Sequence, residues 1–179
     1  MLMLPSLSLV VGGAASGKSA FAERLVARSE RPRVYIATAK SFDAEMEAKI
    51  ADHRERRGPD WRTVEAPFDV TDALVGAGAA EVVLFDCATL WLTNHLLAEH
   101  DLVAKEAHLL AALTNCAAPV VVVSNEVGAG IVPENALSRQ FRNAQGQLNQ
   151  RLAEVSDLVV TVMAGLPMVL KGDLPKGWL

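Results

Sequence analysis

Five short runs of β-branched and apolar residues recur along this chain, and helix-like stretches separate them. They are LSLVV (7–11), RVYIAT (33–38), VVLFD (82–86), PVVVVSN (119–125) and LVVTVM (158–163). Most are continuously apolar rather than alternating, the pattern of strands buried on both faces of a parallel sheet. The stretches between them, near 17–29, 42–56, 69–77, 101–117 and 137–155, have the character of helices. Strand and helix in alternation predict right-handed βαβ units and a mostly parallel sheet covered by helices, an α/β fold. Gly58-Pro59 ends the second helix, and WRTVEA (61–66) reads as a further short strand. No internal repeat or linker interrupts the pattern. A length of 179 residues suits one well-buried core better than two, so a single domain over 1–179 is expected.

Composition narrows the function classes. Apolar residues make up 51% and charged residues 21%, which is a folding chain. With a net charge of −4 and no basic block, the balance argues against a nucleic-acid groove. The densest basic run, Arg54, Arg56 and Arg57 interrupted by Glu55, is too short for a polynucleotide and suits one triphosphate. Cys87 and Cys116 follow no metal-ligand spacing and cannot form a disulfide framework, which favours a reducing compartment. The opening MLMLPSLSLVVGG lacks a basic n-region and runs into a glycine loop, so it reads as a lead-in and first strand. No apolar run approaches the roughly 20 residues of a membrane helix. The cytoplasm is the expected location.

The glycine loop carries the chemistry. Gly12, Gly13, Ala14, Ala15, Ser16, Gly17, Lys18 and Ser19 fit G-x-x-x-x-G-K-S, with an apolar strand before them and AFAERLVA after. Glycines let backbone N–H groups turn toward phosphates, and the helix N-terminus adds positive potential. Lys18 would reach the terminal phosphates, and the Ser19 hydroxyl can ligate Mg²⁺. Such a loop needs a second acid for the metal. Asp86 ends VVLFD at the sheet edge where open α/β folds place ligands, the natural Walker B position. The plainer reading of Asp86 is a cap on the following helix. The loop and Asp86 predict a purine nucleoside triphosphate used for phosphoryl or nucleotidyl transfer.

Five blocks extend the case: GGAASGKS, YIATA, EMEAKIADHRERR-GPDWRTVE, FDCATLWLTN and SNEVGAGIVPENALSRQFRNAQGQLNQRLAEVSD. In this order and spacing, nearly end to end, the chain resembles the bifunctional adenosylcobinamide kinase and adenosylcobinamide-phosphate guanylyltransferase family of cobalamin biosynthesis. The resemblance implies a RecA-like P-loop α/β domain, a homotrimer, a corrinoid substrate and two activities. In the first, ATP or GTP phosphorylates the hydroxyl of the aminopropanol arm of adenosylcobinamide. In the second, GTP guanylylates an enzyme histidine and releases pyrophosphate, and the GMP passes to adenosylcobinamide phosphate. That histidine corresponds to His53. The implied nucleotide contacts are Gly12 through Ser19, Ala37, Thr38, Ala39, Arg54, Glu55, Arg56, Arg57, Glu65 and Asp86. The chain departs from the family pattern at Ala15, where Arg is frequent, and at Asn143, where many members carry Asp after the arginine.

The residues support these roles to different extents on their own. Neutral imidazole is a competent nucleophile for nucleotidyl transfer. Arg54, Arg56 and Arg57 beside His53 could bind phosphate oxygens and balance a pyrophosphate leaving group. Met46, Ile50 and His53 also fall on one helix face, so packing remains an alternative. His95, His100 and His108 lack a basic setting of that kind and read as surface or packing residues. Glu65 suits the N1–H and exocyclic amine of guanine, or is a solvated strand-edge acid. Thr38, Asn125 and Glu126 leave strands at the same ligand edge. Arg139 and Arg142, at i and i+3, could steady phosphates across a subunit boundary or form a surface pair. Trp61, Trp91, Trp178 and Cys87 read as packing residues. Two other functions stay open at this point: a small-molecule kinase without nucleotidyl transfer, and a nucleotide-driven switch.

Overall fold

All five apolar runs form strands in the computed structural model, which describes residues 3–40 and 60–178. They are β1 (Leu7–Gly12), β2 (Arg33–Ala37), β4 (Val82–Asp86), β5 (Val120–Asn125) and β6 (Leu158–Met163). The further short strand is also present, as β3 (Trp61–Glu65). A seventh, β7 (Leu166–Lys171), was not expected. The helix predicted over 42–56, with His53 and Arg54 to Arg57, lies outside the described residues, as does Gly58-Pro59.

The strands form one sheet in the order β3-β2-β4-β5-β1-β6-β7. Every neighbouring pair is parallel except β6 with β7. Within β1, Leu7 and Leu9 face one core and Val10 the other, and in β5 Val120 and Val122 oppose Val121 and Val123. Both faces are covered, so apolar side chains are needed at successive positions. One face packs against α1 (Lys18–Ala27) through Phe21, Leu25 and Val26. The other lies under α2 (Thr71–Val75), α3 (Ala88–Leu97), α4 (Leu102–Thr114) and α5 (Ala136–Val155), with Trp91, Leu109, Leu148 and Leu152 in its core. Asp101 caps α4 by accepting from Ala104 N at 3.1 Å, and Asn135 caps α5 by accepting from Ser138 N at 2.7 Å. Buried Glu106 of α4 pairs with Arg151 of α5 and ties the two helices together.

Helix α3 was not anticipated, and its composition explains why. Its N-cap residue, Cys87, supplies no side-chain cap, and Thr89, Asn94 and His95 are buried along with its apolar residues. Strand β7 is hidden for a related reason. It follows β6 through Ala164 and Gly165, whose φ values of 52° and 78° match a tight two-residue hairpin turn. Its Leu166, Met168 and Leu170 are exposed, so β7 shows no buried face to read.

Parallel pairing brings the C-terminal strand ends to one edge. Ala37 is in register with both Glu65 and Asp86, and Gly12 with Asn125. Strand β5 therefore separates the loop strand β1 from the Asp86 strand β4.

Candidate active site

Between β1 and α1 the chain makes a tight loop. Ser16 N donates to Gly13 O at 3.3 Å, and Gly17 turns into the helix at φ 93°. Two glycines are required by close approach. A Cβ on Gly12 would lie 2.6 Å from Val162 O, and one on Gly17 3.1 Å from Gly165 Cα. Gly165 N in turn donates to Ser16 O at 2.8 Å. The β6–β7 hairpin thus braces the loop, a contribution that sequence reasoning missed; its one signal was Ala164-Gly165 between two apolar runs.

Lys18 is the first residue of α1 and only 9% exposed, and its Nζ donates to Gly13 O at 3.1 Å. The ammonium is held over the loop at the positive end of a helix. Ser16 Oγ is buried without a protein partner, a donor suited to a phosphate oxygen. A cavity of about 370 Å³ lies over residues 15–20 and Glu23. Ala14 and Ala15 form the exposed tip, Ala15 at φ 55°. A backbone cradle, a lysine and a helix N-terminus together fit a polyphosphate.

Asp86 sits two strands from the loop and accepts from Tyr35 Oη at 3.1 Å. The N-cap position of α3 is Cys87, the residue after it. Burial, followed by the charge of Asp86, pushes the Cys87 thiol up to about 12, so it is an inert packing group. The described residues contain no cluster of three or more His, Cys, Asp or Glu able to hold a metal. Ser19 and Asp86 are hard oxygen donors, suited to Mg²⁺ that keeps the nucleotide phosphates among its ligands.

The expected nucleotide contacts fall into three groups. Gly12 to Ser19 form the loop. Ala37, Asp86 and Glu65 align across adjacent strand ends, with Thr38 and Ala39 continuing from Ala37. Arg54 to Arg57, with His53, lie outside the described residues. Thr38 differs from expectation in how it can act. It is fully buried, and its hydroxyl donates to Cys87 O at 2.7 Å and accepts from Cys87 N at 2.9 Å. Its side chain shapes the turn after Asp86 rather than facing a ligand. Arg139 likewise turns back on its own loop, donating to Pro133 O at 3.0 Å and to Glu134 O. Asn125 is held by the backbone, its N–H donating to Thr89 Oγ1 at 2.8 Å.

His95 is a packing residue, in contact with the rings of Phe68 and Trp91. It is 1% exposed, with Nε2 3.0 Å from Phe68 O and Nδ1 2.8 Å from His100 Nδ1. The carbonyl requires a proton on Nε2, so Nδ1 accepts from His100. Burial depresses the pKa of His95 below the usual histidine value, opposed by the Phe68 bond and Asp69 and reinforced by His100 and Lys105. His108 lines the same pocket. A depressed folded pKa means that the unfolded chain takes up the proton first. Stability from this site is therefore full above about pH 6.5 and is lost as pH falls through that value toward the folded pKa. Thermal melts between pH 7.5 and 5 are expected to show this loss, and His95→Gln is expected to flatten it.

Loop, lysine and strand-end acid, on a mostly parallel sheet with helices on both faces, define a P-loop nucleotide-binding enzyme of RecA-like fold. In keeping with this, the chain is similar to the RadB recombinase, with a TM-score of 0.52 at 19% identity over 88% of this chain and 74% of that one, a likeness of fold alone. Residues 8–170 match the family model described as cobinamide kinase / cobinamide phosphate guanyltransferase. The chain is 45% identical to the bifunctional adenosylcobalamin biosynthesis protein CobP of Pseudomonas aeruginosa, over 92% of this chain and 97% of that protein. It is 42% identical to the corresponding CobU protein of Salmonella typhimurium, over 91% and 98%. The chain belongs to the cobinamide kinase / cobinamide phosphate guanyltransferase family, and is an enzyme of cobalamin biosynthesis with phosphotransferase and nucleotidyltransferase activities.

Proposed function

We propose that both activities use the phosphate loop at Gly12–Ser19 and that guanylyl transfer passes through a covalent GMP adduct of His53. The reading is carried by one observation: the phosphate loop, Asp86 and Glu65 share the C-terminal edge of one parallel sheet. Glu65 and the loop are four strand spacings apart, about 19 Å, room for an extended nucleotide with its phosphates at one end and its base at the other. Glu65 would accept from the N1–H and amine of guanine, which selects GTP in the second reaction. Mg²⁺, held by Ser19 and Asp86, would neutralise phosphate charge.

In the kinase step the aminopropanol hydroxyl of adenosylcobinamide attacks the γ-phosphorus of ATP or GTP. The nucleoside diphosphate leaves and the hydroxyl proton passes to solvent. In the guanylyl step an imidazole nitrogen of His53 attacks the α-phosphorus of GTP. An N–P bond forms, the bridging P–O bond breaks, and pyrophosphate leaves as the other ring nitrogen loses its proton. A phosphate oxygen of adenosylcobinamide phosphate then displaces the imidazole, giving adenosylcobinamide-GDP, and the ring regains a proton. Lys18 holds the phosphates, and Arg54, Arg56 and Arg57 offset the leaving-group charge.

A homotrimer in the cytoplasm completes this reading. The exposed Leu166, Met168 and Leu170 on edge strand β7 support association, and the two free thiols fit a reducing compartment. Sedimentation equilibrium giving a monomer would remove the trimer. The chemistry is tested with GTP labelled at the α-phosphate. The protein is expected to take up acid-labile, base-stable label and surrender it to adenosylcobinamide phosphate. No label in the presence of Mg²⁺ would overturn the covalent route.

A further inference from the structure

Strand pairing stops just where the base-reading end of the site begins. The β2–β3 ladder closes with Ala66 N donating to Ala37 O at 2.8 Å. Beyond it Thr38 N still donates to Asp86 O of β4 at 3.4 Å, but among the described residues no further backbone bond joins the stretch carrying Thr38 and Ala39 to the one following Ala66.

Asn94 spans that gap. It lies on α3 and is 3% exposed. Its Nδ2 donates one hydrogen to Thr38 O at 2.9 Å and the other to Pro67 O at 2.7 Å. Its Oδ1 has no protein partner, so two donated bonds alone hold the carboxamide. A second side chain of the same helix fastens the next residue, for Trp91 Nε1 donates to Phe68 O at 2.8 Å. Helix α3 starts immediately after Asp86 and Cys87, and Cys87 is itself clasped by Thr38. One rigid helix therefore joins the metal-side acid to the exits of β2 and β3.

We propose that Asn94 is a positioning residue for guanine selectivity: by bridging Thr38 O and Pro67 O it fixes the exits of β2 and β3, and so sets Glu65 relative to the base. The inference rests on the assignment of Glu65 as reader of the base. A carboxylate read-out is sensitive to displacement, because it must meet two parallel N–H donors at once. Precision of this kind depends on supporting groups that do not touch the ligand.

The test compares kcat/KM for GTP and ITP in guanylyl transfer by the full-length enzyme. Inosine keeps N1–H but lacks the amine, so it reports the second hydrogen bond. The wild-type preference for GTP is expected to be on the order of 10-fold or more. Glu65→Gln should bring the ratio close to one. Asn94→Asp is nearly isosteric but sets carboxylate oxygens against two carbonyls; it should lower the ratio at least about fivefold, through a higher KM for GTP with kcat within about twofold. Asn94→Ser, too short to reach both carbonyls and free of added charge, is read in the same way should Asn94→Asp not fold. A preserved ratio in these variants, or an equal loss for both nucleotides, overturns the positioning role while the Glu65 reading stands. If Glu65→Gln leaves the ratio intact, the base-reading assignment fails and the inference with it.

Discussion

Lys18→Ala is expected to lower kcat/KM for both cobinamide phosphorylation and guanylyl transfer by roughly 10²–10³-fold, about 2.7–4 kcal/mol of transition-state stabilisation. The ammonium lies at the N-terminus of α1, is 9% exposed and is tethered to Gly13 O at 3.1 Å, so its position is set before a nucleotide arrives. Preorganised charge in a poorly hydrated site is worth far more to a transferring phosphate than the same charge in bulk water. The loop should keep its shape in the variant. Ser16 O still receives Gly165 N at 2.8 Å, and Phe21 N still donates to Gly17 O at 3.0 Å. The change should therefore appear in kinetics and nucleotide affinity, with Tm nearly unchanged. Steady-state assays of each half-reaction decide the matter. Loss of one activity with the other intact would mean that a second nucleotide site exists. Survival of both would remove the loop from the chemistry.

Much of this arrangement was legible because it is local. The loop strand, GGAASGKS and the helix after it are contiguous, so β1, the phosphate cradle and Lys18 could be read together. The parallel sheet was legible because burial on both faces leaves continuous apolar runs. What escaped notice depends on distant partners. The brace on Ser16 O comes from Gly165, in a hairpin whose second strand exposes its apolar side chains and so resembles a tail. Helix α3 turns Thr89, Asn94 and His95 inward, and the carbonyls of Thr38, Pro67 and Phe68 satisfy the last two of these from two other segments. A polar residue placed to meet such carbonyls looks like a surface residue until the fold brings them together. Thr38 shows the converse. Its place at the strand end was legible, but the use of its hydroxyl on Cys87 was not.

His53→Ala should separate the two reactions. Guanylyl transfer is expected to fall on the order of 10⁴-fold or more, because removing a covalent nucleophile removes the route itself rather than one stabilising contact. Phosphorylation of adenosylcobinamide should persist within about threefold, since that step needs only the loop, the metal-side acid and an in-line hydroxyl. The variant should bind GTP yet take up no label from the α-phosphate. The chain leaves the nucleotide edge after Ala37 and rejoins the sheet at its opposite edge, at the start of β3, with His53 in the sequence between. A nucleophile carried there need not share an element with the phosphate loop, so losing it should spare the kinase. Adding imidazole supplies a sharper control. As a free nucleophile entering the space left by the side chain, it should restore part of the GTP-dependent pyrophosphate release in His53→Ala and none in Lys18→Ala. Equal collapse of both reactions in His53→Ala would instead make this residue a structural support, and continued labelling would move the nucleophile elsewhere in the chain.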